Sequence, residues 1–482
     1  MSISQSLSNA LSGLSAASRM AEVVSSNLSN ALTDGYGRRS VDLSSESIGG
    51  RGAGVRVVGI TRHVDRGILG DRRLADAELG GRQSLLTSLG RVETTFGAAG
   101  DNNGLASRLA SLEQALTSIA GDPSAEVRQS NVINRINGVT TALHDSAAGI
   151  RNLRQEAEDS IASQVDMLNT SLSQVEALNK DIMVARNAGG DTTGLLDQRQ
   201  VVIDKISTIV SVRELTRSNG TVALMTTSGQ MLVDGPASQF GFTPANYITP
   251  DMTLTSGGVR GITLDGVPVP GATGAGRLDG GTLSAAFGLR DATLVNAQAG
   301  LDAVARDLID RFADPATDPT LTIGDAGLLT DAGAAFDPLN AVGLSGRIKI
   351  NAAVDPAQGG AAWRIRDGVN ATAPGPVGSG TQIDRWIDAL GAPKSLTGGG
   401  SARSAAGHMA SLVSNIGSQR LAAEEDVSFT TARWSSLRQE ELAEGVDSDH
   451  ELQMLMRIEQ AYAANAKVMQ TIQSMIQTLM EI

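Results

Sequence analysis

The sequence predicts a mainly α-helical, elongated molecule with inserted β-rich domains, and three patterns lead to that class. At the N-terminal end, apolar or small residues fall at Ile3, Leu7, Ala10, Leu14, Ala17, Ala21, Val24, Leu28 and Ala31, in steps alternating four and three. At the C-terminal end Leu455, Tyr462, Met469 and Ile476 form a column seven apart, flanked by Leu452, Ala466 and Met480, with Ile472 on the same helix. Between these ends, a long helical stretch after Gly121 alternates with two Gly-rich regions. Each end writes one narrow apolar seam down one helix, as coiled-coil strands do. A lone helix cannot bury such a seam, so each end needs a partner.

The first helix is expected over about residues 2–31. Thr33-Asp34-Gly35-Tyr36-Gly37 breaks it, since Gly and Asp favour a turn. Residues 39–62 read as extended or looping, with Val55, Val57 and Ile60 apolar among glycines. Helix returns over 68–96 and, after a turn at 101–104, over 105–119, where Leu105, Leu109, Leu112, Leu116 and Ile119 share a face. Asp122 and Pro123 are expected as N-cap and first residue of a rod that runs to about residue 188. Some ~65 residues at ~1.5 Å each would span ~100 Å, with Gly138 and Gly149 as candidate bends. A further helix is expected over 195–210.

The period then changes. Residues 212–233 and 252–269 alternate around Gly-containing turns, as short hairpin strands do. Helix is expected again over 285–312. In the Gly- and Pro-rich stretch 314–400, strands are expected at 347–350 and 363–365 and a helix at 383–390. Helix dominates 401–443, and Ser448-Asp449-His450-Glu451 reads as a capping box opening the last helix. The expected architecture is nested. Residues 1–38 with 446–482 form a terminal helical assembly domain, paired as a coiled-coil-like stalk. Residues 39–210 with 285–313 and 401–445 form a helical-rod bundle. Residues 211–284 and 314–400 form the β-rich inserted outer part.

Composition narrows the function classes. Aromatics are 3% of the chain, too few for aromatic-lined ligand pockets. The net charge of -13 and the lack of a basic stripe argue against nucleic acid. The chain has no Cys, which excludes disulfides and thiol chemistry. Residues 1–17 carry no basic residue before their apolar positions, so a signal peptide is not expected. No run approaches ~18 uninterrupted apolar residues, so no membrane span is expected.

The search for chemistry is nearly empty. No P-loop, G-x-S-x-G or H-E-x-x-H string occurs. Gly49-Gly50-Arg51-Gly52-Ala53-Gly54 lacks the spacing and following helix of a phosphate cradle. His63, His144, His408 and His450 sit in no ligand spacing, and Asp325, Asp331 and Asp337 do not make a calcium loop. No catalytic, metal or cofactor site is expected. The first 33 residues carry only Arg19 and Glu22 as charges, which points to burial on more than one side.

Asn27-Leu28-Ser29-Asn30, followed by Asp34-Gly35-Tyr36-Gly37-Arg38-Arg39, resembles the N-terminal signature of the bacterial flagellar axial proteins, the rod, hook and hook-associated family. Gly445-Val446-Asp447, Glu451 to Leu455 and Gln460 to Val468 are similar to that family's closing helix. With the chain length, the string Leu195-Leu196-Asp197-Gln198-Arg199 resembles the hook-associated members. The resemblance is closest over about 1–45 and 440–482. It implies a structural adaptor joining hook to filament, exported unfolded by the flagellar type III route and located in the extracellular flagellum. It further implies homo-oligomerisation in a helical junction zone, with the hook protein, hook-associated protein 3 and a cytoplasmic export chaperone for the C-terminal part as partners. The assembly interface is expected at Leu7, Leu14, Val24, Asn27, Leu28, Asn30, Tyr36, Leu452, Leu455, Tyr462, Met469, Ile472 and Ile476. Competing expectations are hook-associated protein 3 or a flagellin-like subunit, an all-α enzyme, and a cytoplasmic coiled-coil protein.

Overall fold

A computed structural model describes residues 3–48, 51–98, 100–270, 273–396 and 399–481. Free of Pro and nearly free of charge, the first segment forms helix α1, Ile3–Ser29. The chain then turns at Gly35, whose φ of +76° favours glycine, and a Cβ there would lie 2.4 Å from Val201 Cγ2. The stretch expected to be extended is an antiparallel hairpin, β1 (Arg38–Ile48) and β2 (Arg51–His63), with register shifts after Asp42 and Glu46. Helix α2, Arg66–Phe96, is capped by Asp65, whose side chain accepts from the backbone N–H of Gly67 and Ile68. Helix α3 is Leu105–Ala120.

Helix α4, Glu126–Asn187, runs 62 residues without interruption, about 93 Å at 1.5 Å per residue. Neither Gly138 nor Gly149 breaks it. At Gly149 the helix approaches α2 closely, since a Cβ there would lie 2.5 Å from Thr95 Cγ2. The expected Asp122 cap is corrected. Asp122 accepts from Ser124 Oγ at 2.7 Å instead, and the helix opens four residues later behind Ala125, which offers no side-chain cap.

Helix α5, Thr193–Ile209, leads into a three-stranded antiparallel sheet, β3 (Val212–Thr216), β4 (Val222–Thr226) and β5 (Met231–Val233). The strands expected over 252–269 shrink to β7 (Thr263–Leu264) and β8 (Val267–Pro268), beside β6 (Phe240–Gly241). Before them, Ser256 Oγ accepts from Thr253 N–H and donates to Asp251 O, so a side chain competes for the partners that a ladder would use. The helix expected over 285–312 is three pieces: α6 (Gly281–Gly288), a π turn (Leu289–Thr293) and α7 (Leu294–Phe312). Strands β9 (Leu329–Asp331) and β10 (Ile348–Ile350) pair antiparallel. The strand expected at 363–365 is corrected to a short helix, α8 (Arg364–Asp367), with Ile365 buried and its carbonyl accepting from Trp386 Nε1 at 3.0 Å. Helices α9 (Thr381–Gly391), α10 (Ala405–Ala443) and α11 (Ser448–Met480) close the chain. The molecule is thus mainly helical, with small antiparallel sheets.

Two hydrophobic cores lie along α4. One spans Val132 to Ala157 of α4, α3, α7, α9, the start of α10 and buried residues such as Leu328, Leu344 and Val369. The other spans Ile161 to Val175 of α4, α5, β3–β5 and α6. Between them Glu158 and Arg290, both fully buried, pair at 2.5 Å, and the π turn of Leu289–Thr293 carries Arg290 to that meeting point. A small third cluster, Ala17, Val24 and Ile458, joins α1 to α11.

Candidate assembly surface at the paired termini

Helices α1 and α11 pair antiparallel. Asn27 meets Glu451, Ala17 and Val24 meet Ile458, and a Cβ at Gly13 would lie 2.8 Å from Asn465 Nδ2. Numbers rise on one helix as they fall on the other. On the hairpin side of α1, Gln5 Nε2 donates to Gly52 O at 3.0 Å and Val55 N–H donates to Ser12 Oγ at 3.2 Å. Helix α1 therefore lies between α11 and the hairpin.

The pair is anchored at its base by a hydrogen-bonded hub. The Asn27 side chain is fully buried, and its amide makes four bonds. Nδ2 donates to Arg39 O (2.8 Å) and Glu451 Oε2 (3.1 Å), while Oδ1 accepts from Arg39 N–H (3.0 Å) and Tyr36 OH (2.9 Å). Arg38 Nε donates to Glu451 Oε1 at 2.8 Å. The Arg39 guanidinium lies over the Tyr36 ring, 4.7 Å from its centroid, and reaches Asp197 Oδ2 at 2.5 Å. Asp197 also accepts from Arg62 Nε (2.6 Å) and Gly37 N–H (3.0 Å). One carboxylate on α5 thus holds the turn, the hairpin and, through Arg39, the end of α1.

A second ionic cluster ties α10 to the same end. Arg72 pairs with Asp76, with Asp204 at 2.8 Å and with Glu441 at 3.0 Å, and Arg73 pairs with Asp204 (2.6 Å) and Glu214 (2.8 Å). Burial pulls the Arg72 pKa down, and Asp204, Asp76 and Glu441 together push it above its ordinary value.

The capping box expected at 448–451 is corrected. Asp447 is the N-cap, accepting from Asp449 N–H (2.9 Å) and His450 N–H (3.2 Å), and Ser448 is the first helical residue. Glu451 does not reach back to the backbone, because its carboxylate, 1% exposed, is spent on Arg38 and Asn27. A buried carboxylate is held better by a guanidinium than by one amide N–H.

Among the residues expected at an interface, Val24, Asn27 and Ile472 are buried, and Leu7, Leu14, Tyr36, Leu455 and Met469 are partly covered. Asn30 is partly covered and closes the end of α1, with Nδ2 donating to Ser26 O at 2.9 Å. Leu28, Leu452, Tyr462 and Ile476 are exposed. The hub brings Asn27 and Tyr36 together with Glu451, expected only as part of a helix cap, and with Arg38, Arg62 and Asp197, to which the sequence assigned no place at an interface. Their signal is faint, a basic pair after the breaking turn and one Asp within the Leu195–Arg199 string.

The outer flanks stay open. Of the 33 residues of α11 only Glu451, Ile458 and Ile472 are buried, against 22 of the 62 in α4. Leu11, Met456, Val468, Met475, Leu479 and Met480 join the four exposed apolar residues above, and this concentration on one helix pair exceeds the scattered exposure usual on a surface. Among the described residues, no group of three or more acidic or His side chains is placed to hold a metal, and no helix is long and apolar enough to cross a membrane.

Three family models match. Residues 89–318 match the flagellar hook-associated protein FlgK helical domain, residues 7–36 the flagella basal body rod protein, and residues 443–482 the flagellar basal body rod FlgEFG protein C-terminal region. Flagellar hook-associated protein 1 of Escherichia coli is 26% identical over 247 residues, 49% of this chain and 44% of that protein. The protein of the same description from Salmonella typhimurium is 28% identical over 246 residues, 49% of this chain and 44% of that protein. The one from Bacillus subtilis is 26% identical over 240 residues, 47% of each chain. The matched region thus spans under half the length of these curated relatives. A solved structure described as the flagellar hook junction protein FlgK from Burkholderia pseudomallei aligns with a TM-score of 0.45 and 20% identity, covering 55% of this chain and 47% of that one.

Proposed function

We propose that this chain, which belongs to the flagellar axial proteins, is a structural adaptor that joins hook to filament and polymerises through its paired terminal helices. The observation that carries the reading is the unfinished surface of α11, apolar on its outer flank and almost unburied within the chain. Residues 1–38 with 446–482 are the assembly domain; Leu28, Leu452, Tyr462, Met469 and Ile476 lie on the face that neighbours complete, and Leu455 packs against the cluster that joins α1 to α11. Leu7, Leu14, Val24 and Ile472 hold the pair together beneath that face, while Asn27, Asn30 and Tyr36 fix its base. Residues 39–210 with 285–313 and 401–445 form the rod, and 211–284 and 314–400 the outer part. The hook protein, hook-associated protein 3 and further copies of the chain are its partners in the extracellular flagellum. Export follows the flagellar type III route, with a cytoplasmic chaperone on the C-terminal part. The lack of Cys suits a chain threaded unfolded.

Burying an exposed Leu or Ile gains about 1.5–3 kcal/mol per side chain. Ordering a loose residue costs about 1–2 kcal/mol, so a helix that is marginal alone becomes firm when neighbours cover it. The test is complementation of a flagellated strain lacking its own hook-associated protein 1. The wild-type chain should restore filament attachment, and Leu28→Asp, on the open face, or Leu455→Asp, which also loosens the pairing of α1 with α11, should leave bare hooks with flagellin lost to the medium. Normal motility with either variant would overturn the reading.

A further inference from the structure

Beside the hub is a polar feature that the assembly reading does not use. A cleft of about 400 Å³ opens between the start of α2, α5 and β3, and its walls carry Arg62, Arg66, Arg73, Arg199 and Arg213 against Asp71 and Glu214. Two of the arginines are committed, Arg62 to Asp197 and Arg73 to Asp204 and Glu214. Arg199 is 6% exposed, and its hydrogen bonds go to neutral acceptors, Asn179 Oδ1 and Gly220 O, both at 2.9 Å. Arg66 donates to Thr216 Oγ1 at 3.1 Å. Among the described residues, none of Arg66, Arg199 and Arg213 has a carboxylate within ion-pair distance, although Glu214 stands nearby and is taken by Arg73.

A buried guanidinium without a counter-charge is costly. Burial lowers the Arg199 pKa to about 10, against the pull of Glu214 and with the push of Arg62, Arg66 and Arg73. This surplus of uncommitted cations occurs in a chain of 52 acidic and 39 basic residues. We propose that the cleft receives a carboxylate side chain from a neighbouring copy of this acidic chain, held by Arg66, Arg199 and Arg213. Guanidinium groups bind carboxylates through paired N–H donors, which suits Arg over Lys at such a seat. The cleft shares Arg62 with the hub at the base of the terminal pair, so its opening lies beside the surface through which copies are proposed to assemble. The inference rests on the assembly reading for the source of the carboxylate.

The test uses the full chain, with glutarate as a stand-in carboxylate and inorganic phosphate as the comparison anion, read by calorimetry. Glutarate should bind the wild type, bind about tenfold or more weakly to the double variant Arg66→Glu, Arg213→Glu, and recover only in part with Lys at both positions, which restores charge without the paired donors. Both arginines are exposed, so the fold survives the change. No glutarate binding, equal binding to the reversed variant, or binding of phosphate in place of glutarate would overturn the carboxylate seat, whatever the chain does in flagella. Glutarate binding by a chain that never enters flagella would overturn the neighbouring copy as the source and the assembly reading with it.

Discussion

At position 27 an amide donates and accepts at once, which no apolar or singly charged side chain of that size does. Its carbonyl and amino group close on both backbone groups of Arg39, as a strand partner would. Asn27→Ala should cost about 1–3 kcal/mol, because buried partners are left unsatisfied. Chemical denaturation of the purified chain reads the loss, and faster proteolysis at the base of α1 should accompany it. Asp191 gives the pH-dependent case. Burial raises its pKa, but hydrogen bonds from Thr193, with Arg39 and Arg19 nearby, leave it below the ordinary carboxylate value. A depressed folded-state pKa supplies stability above the unfolded value of about 3.9 and loses it as pH falls through the folded value. Amide protection at the start of α5, taken relative to the intrinsic exchange rate at each pH, should therefore fall below about pH 4 in the wild type and stay nearly constant in Asp191→Asn. At this scale the sequence was a poor guide. It singled out Asn27 and Tyr36 through likeness alone, and Asp197 and Glu451 were hidden because hydrogen-bond partners 160 and 424 residues apart leave no local pattern.

Elements were more legible where periodicity runs long. Helix α4 was readable because 62 residues of regular apolar spacing outweigh two glycines, whose cost of about 1 kcal/mol each is small beside that burial. The π turn was not readable, since its one inserted residue shifts the apolar phase only once, and a single shift in a short helix cannot be told from irregular spacing. Residues 363–365 were misread because three residues cannot distinguish period 2 from 3.6. The terminal seams were read as helices in need of a partner, and each is the other's partner. At Gly13 the missing Cβ leaves room for the Asn465 side chain. Gly13→Leu should force Asn465 aside and spread the pair, seen as increased amide exchange over both terminal helices with the two main cores unchanged. Unchanged exchange would mean that the contact is not needed for pairing.

On the scale of the whole molecule, burial is concentrated in the body and sparse at the ends. Two cores lie along α4, whereas α1 and α11 share a cluster of three buried side chains. On the proposed reading, such a division lets a subunit stay folded in the middle while its ends wait for neighbours. The absence of native Cys allows this to be tested with a single label. Cys replacing Met475, 53% exposed on α11, can be compared with Cys replacing Val377, 67% exposed on the outer part. Maleimide labelling of the purified chain and of intact flagella that incorporate it measures what assembly covers. Both positions should react in the free chain, and only position 475 should become protected in flagella. Equal labelling of position 475 in the free and assembled states would contradict the claim that the terminal pair is the surface through which the subunit assembles.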